Sequence, residues 1–240
     1  DKLDTLVGFF LINEKPTSSK DPFALRRSAI GLLRTIIENN LTVGLRDLID
    51  YLIRFYTEQG VKDVNKNTHL ELINFFRDRM RNIFKEKRIR PDIIEASLSS
   101  HINDNFLELY KKTLVMNKFI SKDLGKNAVS TYKRAYNIID REKNISKSGP
   151  DAVLFKQDEE KELFDKINDI RKAFTYKERK ESYENHLKLL SDAKLSTDKF
   201  FDNVKVNDEN NDIKNNRLEL LQRLCSTFNT FIDFSKLEGN

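Results

Sequence analysis

Apolar residues recur along this chain at intervals of three and four, the spacing that lines one side of an α-helix. Leu3, Leu6, Val7 and Phe10 predict a helix over 2–12. Phe23, Ile30, Leu33 and Ile37 predict a second over 22–39, with Asp21 as N-cap, Pro22 at the first helical position and Asn39-Asn40 at its end. Leu45, Leu48, Ile49, Leu52, Phe55 and Tyr56 predict a third over 44–59, with Gly60 placed as its C′ residue. Thr68-His69-Leu70-Glu71 reads as a capping box opening a helix whose core face is Leu70, Ile73, Phe76, Met80, Ile83 and Phe84. Arg90-Pro91-Asp92 opens a short helix through Leu98. Phe106, Leu109, Tyr110, Leu114 and Met116 predict a helix over 103–119, and Ala128, Tyr132, Ala135 and Ile139 one over 123–143.

The same spacing continues to the end. Leu163, Ile167, Ile170 and Phe174 predict a helix over 158–174, Tyr183, Leu187 and Leu190 one over 176–190, and Ile213, Leu220, Leu221, Leu224, Phe228 and Phe231 one over 212–232. Phe200, Phe201, Val204 and Val206 read as a short apolar hinge before the polar turn Asn207 to Asn211. The expected fold class is all-α, built as helical bundles. Two stretches lack periodicity. Val61 to Asn67 reads as a linker and a possible domain boundary, and Asn144 to Asp151 (NISKSGPD) as the clearest linker.

Composition supports helices: Leu, Lys, Glu, Asn, Phe and Ile dominate, with four Pro, seven Gly and no Trp. The single Cys225 excludes an internal disulfide, so a reducing compartment is the default. No apolar run approaches the roughly 20 residues needed to span a membrane. The chain opens on Asp1 without an initiator Met, as a fragment would.

Charge is uneven. The net +5 resolves into 0 for residues 1–65, +8 for 66–150 and −3 for 151–240, so a polyanion partner is best sought in the middle third. There Arg77, Arg81, Lys85 and Arg88 fall within an arc of about 80° if one helix carries them all. The side of the 123–143 helix opposite its apolar stripe carries Lys126, Ser130, Lys133, Asn137 and Arg141. Near the start, Arg26, Arg27 and Arg34 lie outside the apolar stripe of their helix. Lys20 precedes its N-terminus, where unpaired N–H groups favour an anion. Each of these sets has two readings, a solvated charged face or a surface that tracks phosphates.

One stretch is more specific than any periodicity. DKLDTLVG at Asp1 to Gly8, followed by PTSSKDPFALRRSAIGLLR at Pro16 to Arg34, strongly resembles the β subunit of bacterial glycyl-tRNA synthetase, of the type with two α and two β subunits. Phe76 to Arg81, Tyr132 to Ile139, Phe200 to Val206 and Asn216 to Leu221 resemble the same family, so the likeness spans nearly the whole chain. The resemblance implies three regions. Residues 1–63 would be the C-terminal part of a helical domain like that of the His-Asp (HD) phosphohydrolases. Residues 64–148 would be a basic helical tRNA-binding or connecting region, and 149–240 a DALR-like anticodon-binding domain.

In true HD enzymes an Asp near the chain start completes a metal site, and Asp1 is its counterpart by this resemblance. The paired His-Asp ligands are absent: His69, His101 and His186 are scattered and none precedes an Asp. No metal and no hydrolase activity are expected. Nor does the sequence carry a Gly-rich phosphate loop, a HIGH or KMSKS signature, or a nucleophile with a plausible base, Cys225 lying on an apolar helix side.

The resemblance therefore implies a non-catalytic, tRNA-binding part of glycine–tRNA ligase in the cytoplasm. It would recognise tRNA(Gly), including its anticodon, while the α subunit supplies the chemistry with ATP and Mg²⁺; no cofactor is expected here. The expected tRNA contacts are Lys20, Arg26, Arg27, Arg77, Arg81, Lys133, Arg134, Asn137 and Arg217. The partners would be tRNA(Gly) and the α subunit, with no membrane. The alternative is a non-catalytic helical scaffold for protein partners.

Overall fold

The computed structural model describes every residue except 62–64, 101–103, 143–144, 146–147, 178–181 and 240, and no side chain over 175–177. His101 and parts of both predicted linkers lie outside the described residues. Among those described there is no strand. Eleven α-helices and two short 3₁₀ turns divide between two compact units, Asp1–Ile94 with Ile102–Thr113, and Glu95–His101 with Leu114–Asn240.

The first unit is built from α1 (Lys2–Leu11), α2 (Leu25–Glu38), α3 (Leu45–Glu58), α4 (Thr68–Glu86) and the beginnings of α5 (Pro91–Leu98) and α6 (Phe106–Phe119). Leu6, Val7, Phe10 and Leu11 bury one face of α1, and that short helix packs against α2, α3 and α4. Tyr56 ties the far end of α3 to it by donating its hydroxyl proton to Asp4 Oδ1 at 2.9 Å. Burial, then the Asp4 hydrogen bond, raise the pKa of that phenol. Gly60, at φ +92°, occupies the left-handed position that closes α3, with its N–H on the Thr57 carbonyl.

Two expected helix starts differ in detail. α2 begins at Leu25, three residues later than the cap position expected of Asp21 would place it, with Ala24 in the left-handed region at φ 53°. Asp21 still caps it, since its carboxylate accepts from the N–H groups of Leu25 (2.8 Å) and Arg26 (3.0 Å) across the turn made by Pro22 and Phe23. The capping box at Thr68 does not form. Thr68 is already helical and donates to the Asn65 carbonyl, while Glu71 takes the Asn65 amide and Lys15 instead.

The second unit holds α7 (Asp123–Ile139), α8 (Asp158–Lys177), α9 (Tyr183–Ser191), α10 (Lys194–Asn203) and α11 (Asn211–Phe228), with a 3₁₀ turn at Ala152–Leu154 and another at Phe234–Lys236. α11 is its central rod. Leu218, Leu220, Leu221, Leu224, Cys225 and Phe228 are buried against α7 and α8. Tyr132 of α7 sits among Phe228, Phe234 and Tyr136 with ring centroids 5.5–5.9 Å apart. The expected hinge at Phe200–Val206 is instead largely helix: α10 runs through Phe201 and buries Phe200 against α8. Four apolar residues in seven read as a break because the polar residues of α10 dilute its stripe.

The end of the NISKSGPD stretch is bound rather than free. Asn216 of α11 accepts from the Asp151 N–H at 2.7 Å and donates to its carbonyl at 3.0 Å, and Ser148 donates to Glu219 at 3.2 Å. Among the described residues no helix is long and apolar enough to cross a membrane.

Candidate nucleic-acid interface

Helix α7 presents two faces by its periodicity. Ala128, Val129, Tyr132 and Ala135 are buried, which turns Lys126, Ser130, Lys133 and Asn137 outward or to the margin. The segment after the second 3₁₀ turn runs beside the margin. The Lys133 side chain lies along Gly239, its Nζ 3.1 Å from where a Cβ on that glycine would stand. Between them is a cleft of about 400 Å³, walled by Ile120 and Val129 and edged by Lys126, Ser130, Lys133 and Glu238. Lys133 and Asn137 make no side-chain hydrogen bond or ion pair among the described residues. Lys126 touches only the 95% exposed Asp123, at 3.4 Å. Exposed pairs of that kind contribute little, so both ammonium groups are available to an anion. Apolar walls beside two available cations suit an unstacked base with its phosphates, with Asn137 one turn beyond Lys133 and outside the cleft lining.

Arg134 points elsewhere on the same helix. It pairs with Asp198 (3.3 Å) and Asp202 (3.5 Å) of α10 and lies over the Phe201 ring, 4.4 Å from the centroid. Its charge is already shared with two carboxylates and its role is to fasten α10 to α7.

Arg217 was expected among the RNA contacts and the structure withdraws it. It is 3% exposed. Nε meets Glu160 Oε1 at 2.8 Å, and Nη1 donates to the Lys205 carbonyl and to Asp208 Oδ2, both at 2.8 Å. Glu160, 0% exposed, uses its other oxygen to accept the N–H groups of Lys156 and Gln157. The Asp208 carboxyl is held below its usual pKa, first by the Asn210 backbone N–H and then by Arg217. A buried guanidinium needs internal partners, and the sequence places those partners nine to 57 residues away.

In the first unit the expected anion position at the start of α2 is taken by the chain's own Asp21 carboxylate. Arg26 donates to the Thr17 carbonyl and pins the loop that carries Lys20. Lys20 and Arg27 remain exposed on that loop and helix. The predicted stripe on α4 is shorter than its periodicity implied. Arg88 lies beyond the helix end, with φ 56°, and Arg81 pairs with Asp78 at 2.9 Å. Arg77 lines a separate cleft of about 320 Å³ together with Arg46 and Lys66. Neither of those two stood out in the sequence, since Arg46 reads as an ordinary first-turn residue and Lys66 as part of a linker.

The buried titratable groups of α7 and α11 belong to the core. Burial pushes the Cys225 thiol up to about 12 and raises the Tyr132 phenol above its usual range. Among the described residues no group of three or more His, Cys, Asp or Glu side chains could hold a metal ion.

Comparison with known families places this geometry. Residues 128–236 match the family described as "DALR anticodon binding domain". That match covers most of α7, α11 and the helices packed between them, so the second unit is similar in class to helical anticodon-binding domains. Residues 1–99 match "Glycyl-tRNA synthetase beta subunit". The "Glycine--tRNA ligase beta subunit" proteins of Rickettsia africae (strain ESF-5) and Rickettsia conorii (strain ATCC VR-613 / Malish 7) are each 38% identical over 237 residues, 99% of this chain and 34% of the relative. That of Rhodospirillum centenum (strain ATCC 51521 / SW) is 36% identical over 244 residues, 100% of this chain and 34% of the relative. Over nearly its whole length the chain is similar to glycyl-tRNA synthetase β subunits, and it spans about a third of the length of the curated relatives it matches.

Proposed function

We propose that this chain is a tRNA-binding part of glycine–tRNA ligase, recognising tRNA(Gly) and its anticodon without performing the ligation itself. The observation that carries the reading is the match of residues 128–236 to an anticodon-binding domain in a chain whose whole length aligns with β subunits. The α7 margin supports it physically: Lys126 and Lys133 hold phosphate, the apolar cleft walls receive a base, and Asn137 donates and accepts at a base edge or ribose. ATP and Mg²⁺ would act in the α subunit, with which this chain would assemble in the cytoplasm. The chain's contribution to rate is then positioning, by holding the tRNA so that its 3′ end reaches the other subunit. The helical-scaffold alternative is not favoured by these relatives.

The test is binding of tRNA(Gly), and of the same tRNA with its second and third anticodon bases changed, across a salt series. Salt-sensitive binding that weakens with the anticodon changes supports the reading. Equal binding of both tRNAs refutes anticodon recognition by this chain, and salt-independent binding refutes a phosphate-led surface.

A further inference from the structure

We infer that the first unit carries its own RNA-phosphate site, the cleft where the start of α4 meets the start of α3, formed by Arg46, Lys66 and Arg77. The inference rests on the tRNA-binding reading above but concerns a surface that the anticodon-binding match does not include.

The geometry is specific. Asn67, Leu70, Asn74 and Arg77 recur at three- and four-residue intervals, so one face of α4 lines the cleft over its first three turns. Arg46, in the first turn of α3, and Lys66, just ahead of the α4 N-terminus, complete the lining. The N-cap residue Asn67 makes no side-chain cap bond to that helix, although Asn65 takes the Asn67 and Thr68 N–H groups. The N–H groups left unpaired at the helix start add a partial positive charge to three full ones.

None of the three cations makes an ion pair or side-chain hydrogen bond among the described residues. This is unusual in a unit where Lys15, Arg34, Arg81 and Lys112 all find carboxylates within 3.0 Å. The nearby acids are engaged elsewhere. Asp50 Oδ1 is 3.1 Å from His69 Nδ1, and Asp104 Oδ2 caps α3 at the Arg46 N–H, 3.1 Å away. Three unpaired cations around one depression repel one another, which costs stability unless an anion fills it.

The rest of the lining narrows the class of anion. Leu70 is 63% exposed at the rim, an apolar surface on which a base or ribose can rest. The side-chain amides of Asn67 and Asn74 offer both donors and acceptors beside the phosphate position. A simple inorganic anion uses neither feature, whereas a nucleotide unit of an RNA strand uses both. An acidic peptide could use the cations and the amides, but it brings neither base nor ribose to rest on Leu70.

The experiment compares the chain with an Arg46→Gln/Lys66→Gln/Arg77→Gln variant, which breaks no native ion pair and whose folding is checked by its melting curve. Each single-stranded phosphate contact contributes about 0.7 to the log–log salt slope, so losing three weakens tRNA binding by about 100-fold near 0.1 M salt and flattens the slope by about 2. Unchanged affinity and slope in the folded variant overturn the site. A second arm separates this inference from the reading beneath it. Inorganic pyrophosphate is titrated into the labelled chain while backbone amide resonances are followed. If the unmodified chain binds no tRNA, the tRNA reading fails by itself. Shifts at Lys66, Asn67, His69 and Leu70 would then keep the cleft as a phosphate site for another ligand, and their absence would remove it. If the chain binds tRNA but only an acidic peptide displaces pyrophosphate from the cleft, the RNA assignment of this site is overturned while the anticodon reading stands.

Discussion

Replacing Arg217 by methionine separates the structural from the RNA-contacting reading of that residue. Methionine fills similar volume and removes the charge. It leaves the Glu160 carboxylate, 0% exposed, with the Lys156 and Gln157 N–H groups but no cation, and strands the Lys205 carbonyl. Removing one partner of a buried pair costs about 3–5 kcal/mol, because the remaining charge is neither solvated nor compensated. In a folding unit of this size about 1 kcal/mol moves Tm by roughly 2–4 °C, so a drop of about 10 °C is expected. The assay is thermal and urea unfolding followed by far-UV circular dichroism, with Arg217→Met, Glu160→Gln and the double variant forming a cycle. The double variant should recover about half the loss, since it buries no unpaired charge. Below its melting range Arg217→Met should bind tRNA as tightly as the unmodified chain. A loss of stability below about 1 kcal/mol, strictly additive effects, or selectively weakened tRNA binding in a fully folded sample would each refute the argument.

Three further outcomes are expected. Lys126→Gln/Lys133→Gln should weaken tRNA binding about 25-fold near 0.1 M salt, two phosphate contacts' worth, and leave Tm unchanged; filter binding and a melting curve check both halves. Asp21→Ala removes the side chain that accepts the N–H groups of Leu25 and Arg26 at the start of α2 and should cost about 1–2 kcal/mol in urea unfolding, despite the residue lying outside the helix. Cys225, whose folded thiol pKa is raised from 9.0 to about 12 by burial, should resist thiol reagents at pH 8 until denaturant is added. Because the folded state holds its proton more tightly than the unfolded one, Cys225 contributes stability that is complete below about pH 9 and is lost as pH rises towards 12. Tyr132, raised in the same direction by burial, adds to that alkaline loss, and an alkaline titration of Tm should show it.

The two basic faces illustrate how charge on a helix is misread. Arg77, Arg81, Lys85 and Arg88 look like one stripe, yet Arg81 has a carboxylate one turn away and Arg88 falls past the helix end. Arg134 and Lys133 are neighbours in sequence, but the 100° between them sends one to Asp198 and Phe201 and the other to the open cleft. Only Lys133, Asn137, Arg77, Lys20 and Arg27 of the nine residues first singled out keep side chains without an internal hydrogen bond or ion pair among the described residues.

What the sequence by itself determined is every described α-helix but α10, and the family resemblance. Helical periodicity is local, set by side chains three and four apart, so Leu6-Val7-Phe10 or Leu220, Leu221, Leu224 and Phe228 announce their buried faces without knowledge of what covers them. The DKLDTLVG and SKDPFALRR runs carry the family resemblance because so long a match does not arise from periodicity. What only the tertiary structure decided is where each charge goes. Arg217 meets Glu160 across 57 positions, the Asp151 backbone meets Asn216 across 65, and Arg46 shares a cleft with Lys66 and Arg77. Burial is a property of the assembled unit: whether a guanidinium faces water, a carboxylate or an empty cleft depends on helices that are distant in the chain, and no local pattern encodes that distance.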